Sequence, residues 1–121
     1  MTRVDFAKTV GERFQALEDF ILAQDPETAP AWIEDLQEQL LRFVDLVKQH
    51  PKIGRPANAL AASSVEGQRR LHRVLRLAAD AGLPTLREYV LRAHIVLYAH
   101  SDSHVLMLSI RHRRELGYMP K

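Results

Sequence analysis

Apolar residues change their spacing along the chain, and each change marks a different element. Over residues 9–24, Val10, Phe14, Leu17 and Ile21 recur at steps of 4, 3 and 4. That spacing gathers them on one stripe of an α-helix. Asp25-Pro26 stops the pattern, because the residue before a proline is pushed out of helical geometry. A second stripe of Ile33, Leu36, Leu40, Phe43, Val44 and Val47 follows. Thr28 is its expected N-cap, with Pro30 tolerated within the first turn. Glu34, Asp35, Glu38 and Asp45 fall mostly on the other side, and His50-Pro51 ends the helix. Helices joined by so short a link pack as an antiparallel hairpin. Before them, residues 3–7 (RVDFA) alternate enough for a short edge strand.

In the last third the period drops to two. Residues 94–100 and 105–112 are rich in Ile, Val, Leu and Tyr, and flank Ser101-Asp102-Ser103-His104. That is the pattern of a β-hairpin with a short loop, with His104 in the loop. Residues 86–90 read as a third strand, leaving three to four residues for the turn that follows. Alternation sets Ile95, Leu97 and Ala99 against His94, Val96, Tyr98 and His100. On the final strand it sets Leu106, Leu108 and Ile110 against Met107, Ser109 and Arg111, with His112 continuing the first set. A meander this small needs its apolar face covered, and the helical hairpin is suited to cover it.

Between hairpin and meander, residues 51–56 (PKIGRP) form a turn-rich connector, and 57–64 are small and loosely patterned. Ser63 or Ser64 can cap a third helix running to about residue 81, which Gly82 and Pro84 end. Its apolar side is Leu71, Val74, Leu75 and Ala78, and its other side carries Arg69, Arg70, Arg73 and Arg76. The arginine stripe reads either as a solvated helix face or as a binding surface. The expected fold is α+β: an N-terminal helical hairpin packed on a small twisted antiparallel β-sheet, with an extra helix before the C-terminal strands. Residues 1–121 form one domain in this reading, and 57–82 a helical insertion.

Charge divides the chain. Residues 1–50 carry ten acids and five bases, whereas residues 51–121 carry five acids and twelve bases. Either the basic part complements the acidic hairpin internally, or it meets phosphate or an acidic partner. With no cysteine, disulfides and thiolate metal sites are ruled out. The N-terminal residues lack an apolar signal core, and no apolar run approaches the length of a membrane span. A cytoplasmic protein without a membrane role is expected.

The chain contains no GxGxxG, P-loop, HExxH or GxSxG pattern. Its six histidines do not form a spaced ligand set with carboxylates, so neither metal nor cofactor is expected. The remaining candidate chemistry lies at the end of the last strand, in Arg111, His112, Arg113, Arg114 and Tyr118. Arginine binds phosphate as a fixed fork, and histidine can exchange a proton near neutral pH. Such a cluster suits metal-free RNA cleavage, docking on an acidic protein surface, or no more than a basic tail.

The order of these parts resembles the RelE/ParE superfamily of toxins from bacterial type II toxin–antitoxin modules, and among them the ParE-like members. The resemblance is carried by the two-helix hairpin, His50-Pro51-Lys52-Ile53-Gly54-Arg55-Pro56, Leu86-Arg87-Glu88-Tyr89, Ile95-Val96-Leu97-Tyr98 and Ile110-Arg111-His112-Arg113-Arg114-Glu115-Leu116. It covers nearly the whole chain apart from about residues 57–81. It implies a plasmid-stabilisation or stress toxin held by a cognate antitoxin protein, as a homodimer or a toxin–antitoxin hetero-oligomer. ParE-like members poison DNA gyrase by binding, with Arg111, Arg113 and Arg114 as candidate target contacts here. RelE-like members cut mRNA on the ribosome, and for that activity His112, Arg111, Arg113 and Tyr118 are the candidates. Arg87, Arg92 and Arg111 are the candidate antitoxin contacts. A non-toxic interaction or nucleic-acid-binding module using the arginine helix is the third reading.

Overall fold

The structure, a computed structural model, describes residues 2–57, 65–83 and 85–112. The chain runs β1 (Arg3–Phe6), α1 (Lys8–Gln24), α2 (Ala29–Gln49), β2 (Arg55–Pro56), α3 (Val65–Asp80), β3 (Thr85–Leu91), β4 (His94–His100) and β5 (His104–His112). The strands form one sheet in the order β1-β5-β4-β3-β2. The expected α+β fold is present, with the helical hairpin packed on a small sheet. The sheet is mixed, because β1 joins β5 in parallel while β2 to β5 run antiparallel. The turn after β3 is tighter than the spacing suggested. Only Arg92 and Ala93 connect β3 to β4, with Arg92 at φ 24°. Thr28 does stand at the N-cap of α2, but its side chain makes no cap bond. Asp25 acts instead: its carboxylate accepts from the Thr28 amide at 3.4 Å, and its carbonyl from the Ala29 amide at 3.1 Å.

All seven residues of β4 are buried. One face of the sheet packs on the hairpin: Val96, Tyr98, Val105, Met107 and Ile110 meet Val10, Leu17, Leu36, Phe43 and Val47. The other face packs on α3: Leu97, Ala99 and Leu108 meet Val74, Ala78 and Leu83. Leu71, Val74 and Ala78 thus lie on the apolar side of α3 as expected, but Leu77 rather than Leu75 packs beside them; Ser63 and Ser64 lie outside the described residues. One facial assignment is overturned. Leu97 pairs with Ser109 but Tyr98 pairs with Met107, so Leu108 is the extra residue of a β-bulge. The bulge reverses the alternation beyond it. Ile110 joins Met107 on the hairpin face, and Arg111 pairs with Ile95 on the face that α3 packs against.

β1 covers only the first half of the free edge of β5. Beyond it the Ala7 amide donates to the Met107 carbonyl at 2.8 Å. The Thr9 hydroxyl then donates to the Leu108 carbonyl, and Arg13 Nε to the Ile110 carbonyl at 3.3 Å. The start of α1 thus satisfies the edge that β1 leaves open. His104 belongs to the strand rather than the loop, and pairs with Arg3 across the parallel ladder. Its Nε2 lies 2.8 Å from Asp5 Oδ2, which also accepts from Arg3 Nε at 2.9 Å.

The connector before α3 is more than a turn, because Arg55 and Pro56 pair with Glu88 and Arg87 to extend the sheet. A single core hydroxyl holds its entry: Tyr98 donates to the Pro51 carbonyl at 2.8 Å and accepts from the Gly54 amide at 2.9 Å. Arg87 Nη1 donates to the Gly54 carbonyl at 2.7 Å, while its Nε donates to His100 Nε2 at 3.0 Å. His100 therefore carries its proton on Nδ1, 3.2 Å from the Ser101 carbonyl. Gly54 has no room for a side chain, since a Cβ would stand 2.6 Å from the Glu88 carbonyl oxygen. On the opposite face, buried Glu88 accepts from Arg55 Nε at 2.8 Å.

These contacts set expected stabilities. Leu17→Ala and Leu36→Ala should each cost about 2–5 kcal/mol, and half-buried Leu40→Ala clearly less, in urea unfolding at unchanged m. Tyr98→Phe strands the Gly54 amide and Pro51 carbonyl and should cost about 1–3 kcal/mol. Gly54→Ala should cost more, because backbone rather than a movable side chain meets the new methyl. An unfolding midpoint unmoved by Tyr98→Phe would show that the hydroxyl does not hold the connector.

Hydrogen bonding to His104, aided by the charge of Arg3, holds the Asp5 carboxyl below its ordinary range despite some desolvation. A carboxyl depressed in the folded state adds stability above its unfolded pKa and loses it as pH falls through the folded value. The stability gap between wild type and Asp5→Asn should therefore be widest above the ordinary carboxylate range and close on acidification. Midpoints measured across that range check this, and a gap that stays constant into acid would remove Asp5 from the account.

Candidate functional site

The candidate residues at the end of β5 sit where a strand leaves the packed sheet, so the strand fixes their direction. The register separates them. His112 pairs with His94 on the hairpin face, whereas its neighbour Arg111 pairs with Ile95 on the other. The His112 ring meets the His94 ring edge-on, with centroids 5.2 Å apart and planes at 80°. His94 is buried and in turn meets Trp32 of α2 at 5.3 Å and 67°. His112 thus ends a series of three rings that ties the sheet to α2. Arg113, Arg114 and Tyr118 lie outside the described residues.

The three candidate antitoxin contacts do not share a surface. Arg87 is half-buried on the hairpin face and committed to Gly54 and His100. Arg92 stands at the tip of the β3–β4 turn, exposed, with Nη2 3.6 Å from Asp35 Oδ1 of α2. Arg111 lies on the opposite face from Arg87, because their partners Ile95 and Tyr98 are three residues apart on β4. A hollow of about 510 Å³ over the connector is lined by Gln49, His50, Pro51, Lys52, Ile53 and Asp102, and none of the candidates borders it.

On the other side of the sheet, Arg73 of α3 forms a double contact with Glu12 of α1, at 2.9 and 3.2 Å. That hydrogen bond from Arg73, with help from the charges of Arg73 and Lys8, holds the Glu12 carboxyl below its ordinary range. Arg69 and Arg76 are exposed. Sequence spacing placed all three on one helix face, but not the partner of Arg73, because Glu12 lies 61 residues away. The ring series and the Tyr98 clamp also went unseen. Both become visible only once the strand register sets His94 beside His112 and brings the connector to Tyr98.

Among the described residues, no three or more His, Asp or Glu side chains converge as a metal site would require. Nor is any described helix long and apolar enough to cross a membrane.

Comparison with known proteins gives three results. A family model described as ParE toxin of type II toxin-antitoxin system, parDE, matches residues 4–117. A search of curated protein sequences finds no match. Among solved structures, one described as the chromosomal ParDE TA system from P. aeruginosa superposes with a TM-score of 0.60. At 16% identity it covers 93% of this chain and 96% of its own, so the two share a fold. With the family match running from β1 past the last described strand, the chain belongs to the ParE toxin family of type II toxin–antitoxin systems.

Proposed function

We propose that this chain inhibits DNA gyrase by binding it, and that a cognate antitoxin protein keeps it silent. The observation that carries the choice is the arrangement at the end of β5. General acid–base cleavage of RNA needs a histidine that reaches the scissile phosphate beside a cation that stabilises the developing charge. Here the His112 ring packs on His94, and Arg111 projects from the opposite face of the sheet. That pair is poorly placed to act on one phosphate. Inhibition by binding asks for shape and charge alone, which Arg111, Arg113 and Arg114 can supply.

The antitoxin in this reading crosses the helical hairpin and the adjoining sheet edge. Phe20 and Leu22 of α1 and Leu41 of α2 are large apolar side chains left 60%, 45% and 65% exposed, and they suit the apolar anchors of an amphipathic segment. Arg92, beside α2, would meet its acidic residues, while Arg87 shapes the surface from within and Arg111, on the opposite face, is left to the target. Association should weaken with added salt, mainly through the on-rate.

The test pairs two assays: supercoiling by purified gyrase, and translation reactions in which mRNA ends are mapped. The expected result is lost supercoiling and no new mRNA ends. His112→Gln keeps size and hydrogen bonding but cannot act as a general acid near neutral pH. It should retain growth inhibition, whereas Arg113→Glu with Arg114→Glu should abolish it. Cut mRNA in the wild type, with a folded but harmless His112→Gln protein, would replace this reading with ribosome-dependent endoribonuclease activity.

A further inference from the structure

We infer that the outer face of α3 binds the phosphate backbone of duplex DNA without reading its sequence. The helix is two-sided. Val74 and Ala78 are buried against the sheet, with Leu71 and Leu77 packed beside them, while Arg69, His72, Arg73 and Arg76 face outward and exposed. Arg69, Arg73 and Arg76 follow each other at steps of 4 and 3, so like charges are neighbours. That arrangement weakens a helix. Arg69 and Arg76 make no ion pair with any described residue, and Asp80, one turn beyond Arg76, makes none either.

The stripe is also held in place. Glu12 grips Arg73 through two nitrogens and so fixes α3 against α1. Lys8 lies near enough to act on the Glu12 carboxyl, and adds a second cation beside Arg73 at that acid. From Arg69 to Arg76 the helix rises about 10 Å, roughly the rise of three base pairs.

Two absences among the described residues select the ligand class. The large exposed apolar side chains are Phe6, Phe20, Leu22, Leu41 and Ile53, none of them on α3. Protein interfaces have an apolar centre, whereas backbone contacts to nucleic acid are polar and rich in arginine. Residues 65–80 contain no Phe, Tyr or Trp on which unpaired bases could stack. A row of guanidinium forks without a large aromatic ring fits the regular backbone of a duplex better than a single strand. This goes beyond gyrase inhibition and does not depend on it.

The test is fluorescence anisotropy of the full-length chain with a labelled duplex of about 20 base pairs, without gyrase. With Lys8, Arg69 and Arg76 as the free cations, log affinity should fall against log salt with a slope of about −2.7. Binding should then be about 40-fold weaker at 200 mM than at 50 mM salt. Arg69→Gln with Arg76→Gln should bring the slope near −1, whereas Arg42→Gln with Lys48→Gln, which removes the same charge from α2, should leave it near its starting value. Glu12→Gln releases the charge of Arg73 and should steepen the slope by about one. Equal losses from the α2 and α3 pairs would reduce the effect to net charge and overturn the proposal. So would equal affinity for polyglutamate, or no detectable binding at 50 mM salt. A supercoiling assay that fails leaves this result untouched, and the reverse also holds.

Discussion

A strand buried along its whole length on both faces governs this molecule. β4 carries Ile95, Val96, Leu97, Tyr98 and Ala99 in succession, all shielded from water, so neither face of the sheet can be left to solvent. An antiparallel sheet of this size ordinarily packs one face and hydrates the other. Here the hairpin serves one face and α3 the other. The helix between connector and meander is therefore not a surplus loop: without it Leu97, Ala99 and Leu108 would face water as one apolar patch. The two helical layers then separate the chemistry of the surface, with an acidic hairpin on one side and an arginine helix on the other.

Within that frame, one extra residue in β5 decides what the end of the sheet presents. The bulge at Leu108 lets two successive residues, Leu108 and Ser109, share a face, and shifts every later side chain by one. Ile110 is thereby drawn into the hairpin core, His112 is set against His94, and Arg111 is sent to the opposite side. Had the alternation continued unbroken, Arg111 would share the hairpin face with Met107, and His112 would leave its ring partner. Strand alternation separates base from cation where a nuclease would need them together, and the bulge decides which of the two the hairpin side receives.

What could be read from the chain alone follows the distance over which each feature is encoded. Stripes such as Val10-Phe14-Leu17-Ile21 and Leu36-Leu40-Phe43-Val47 are set by neighbours within one turn, so both helices of the hairpin were legible. The strands of the meander were legible for the same reason. The facial placement of Ile110 and Arg111 was not, because a bulge arises from pairing with another strand. Nor was the inward commitment of Arg87, whose partners Gly54 and His100 lie 33 and 13 residues away. Gly54 itself stood out within the PKIGRP connector, but its reason is steric: it lies against the Glu88 backbone and the Tyr98 ring. For the candidate site, the position at a strand end was legible, whereas the direction of each side chain was not.

The uneven charge of the two halves left two explanations, internal complementarity and an external partner, and the ion pairs apportion it between them. Arg73 with Glu12 and Arg92 with Asp35 join the basic part to the acidic hairpin, as self-complementarity requires. Arg55 is spent on Glu88, within the basic part itself, and Arg87 on a carbonyl and an imidazole. Exposed pairs such as Arg92–Asp35 hold little energy, so they orient the halves more than they bind them. Apart from Arg73–Glu12, these contacts lie away from α3 and leave Arg69 and Arg76 uncompensated on an outward face. Internal pairing therefore accounts for Glu12 and Asp35 of the hairpin, and it does not account for Arg69 and Arg76. A charge kept unpaired against its own repulsion is best explained by something outside the chain that bears the opposite sign.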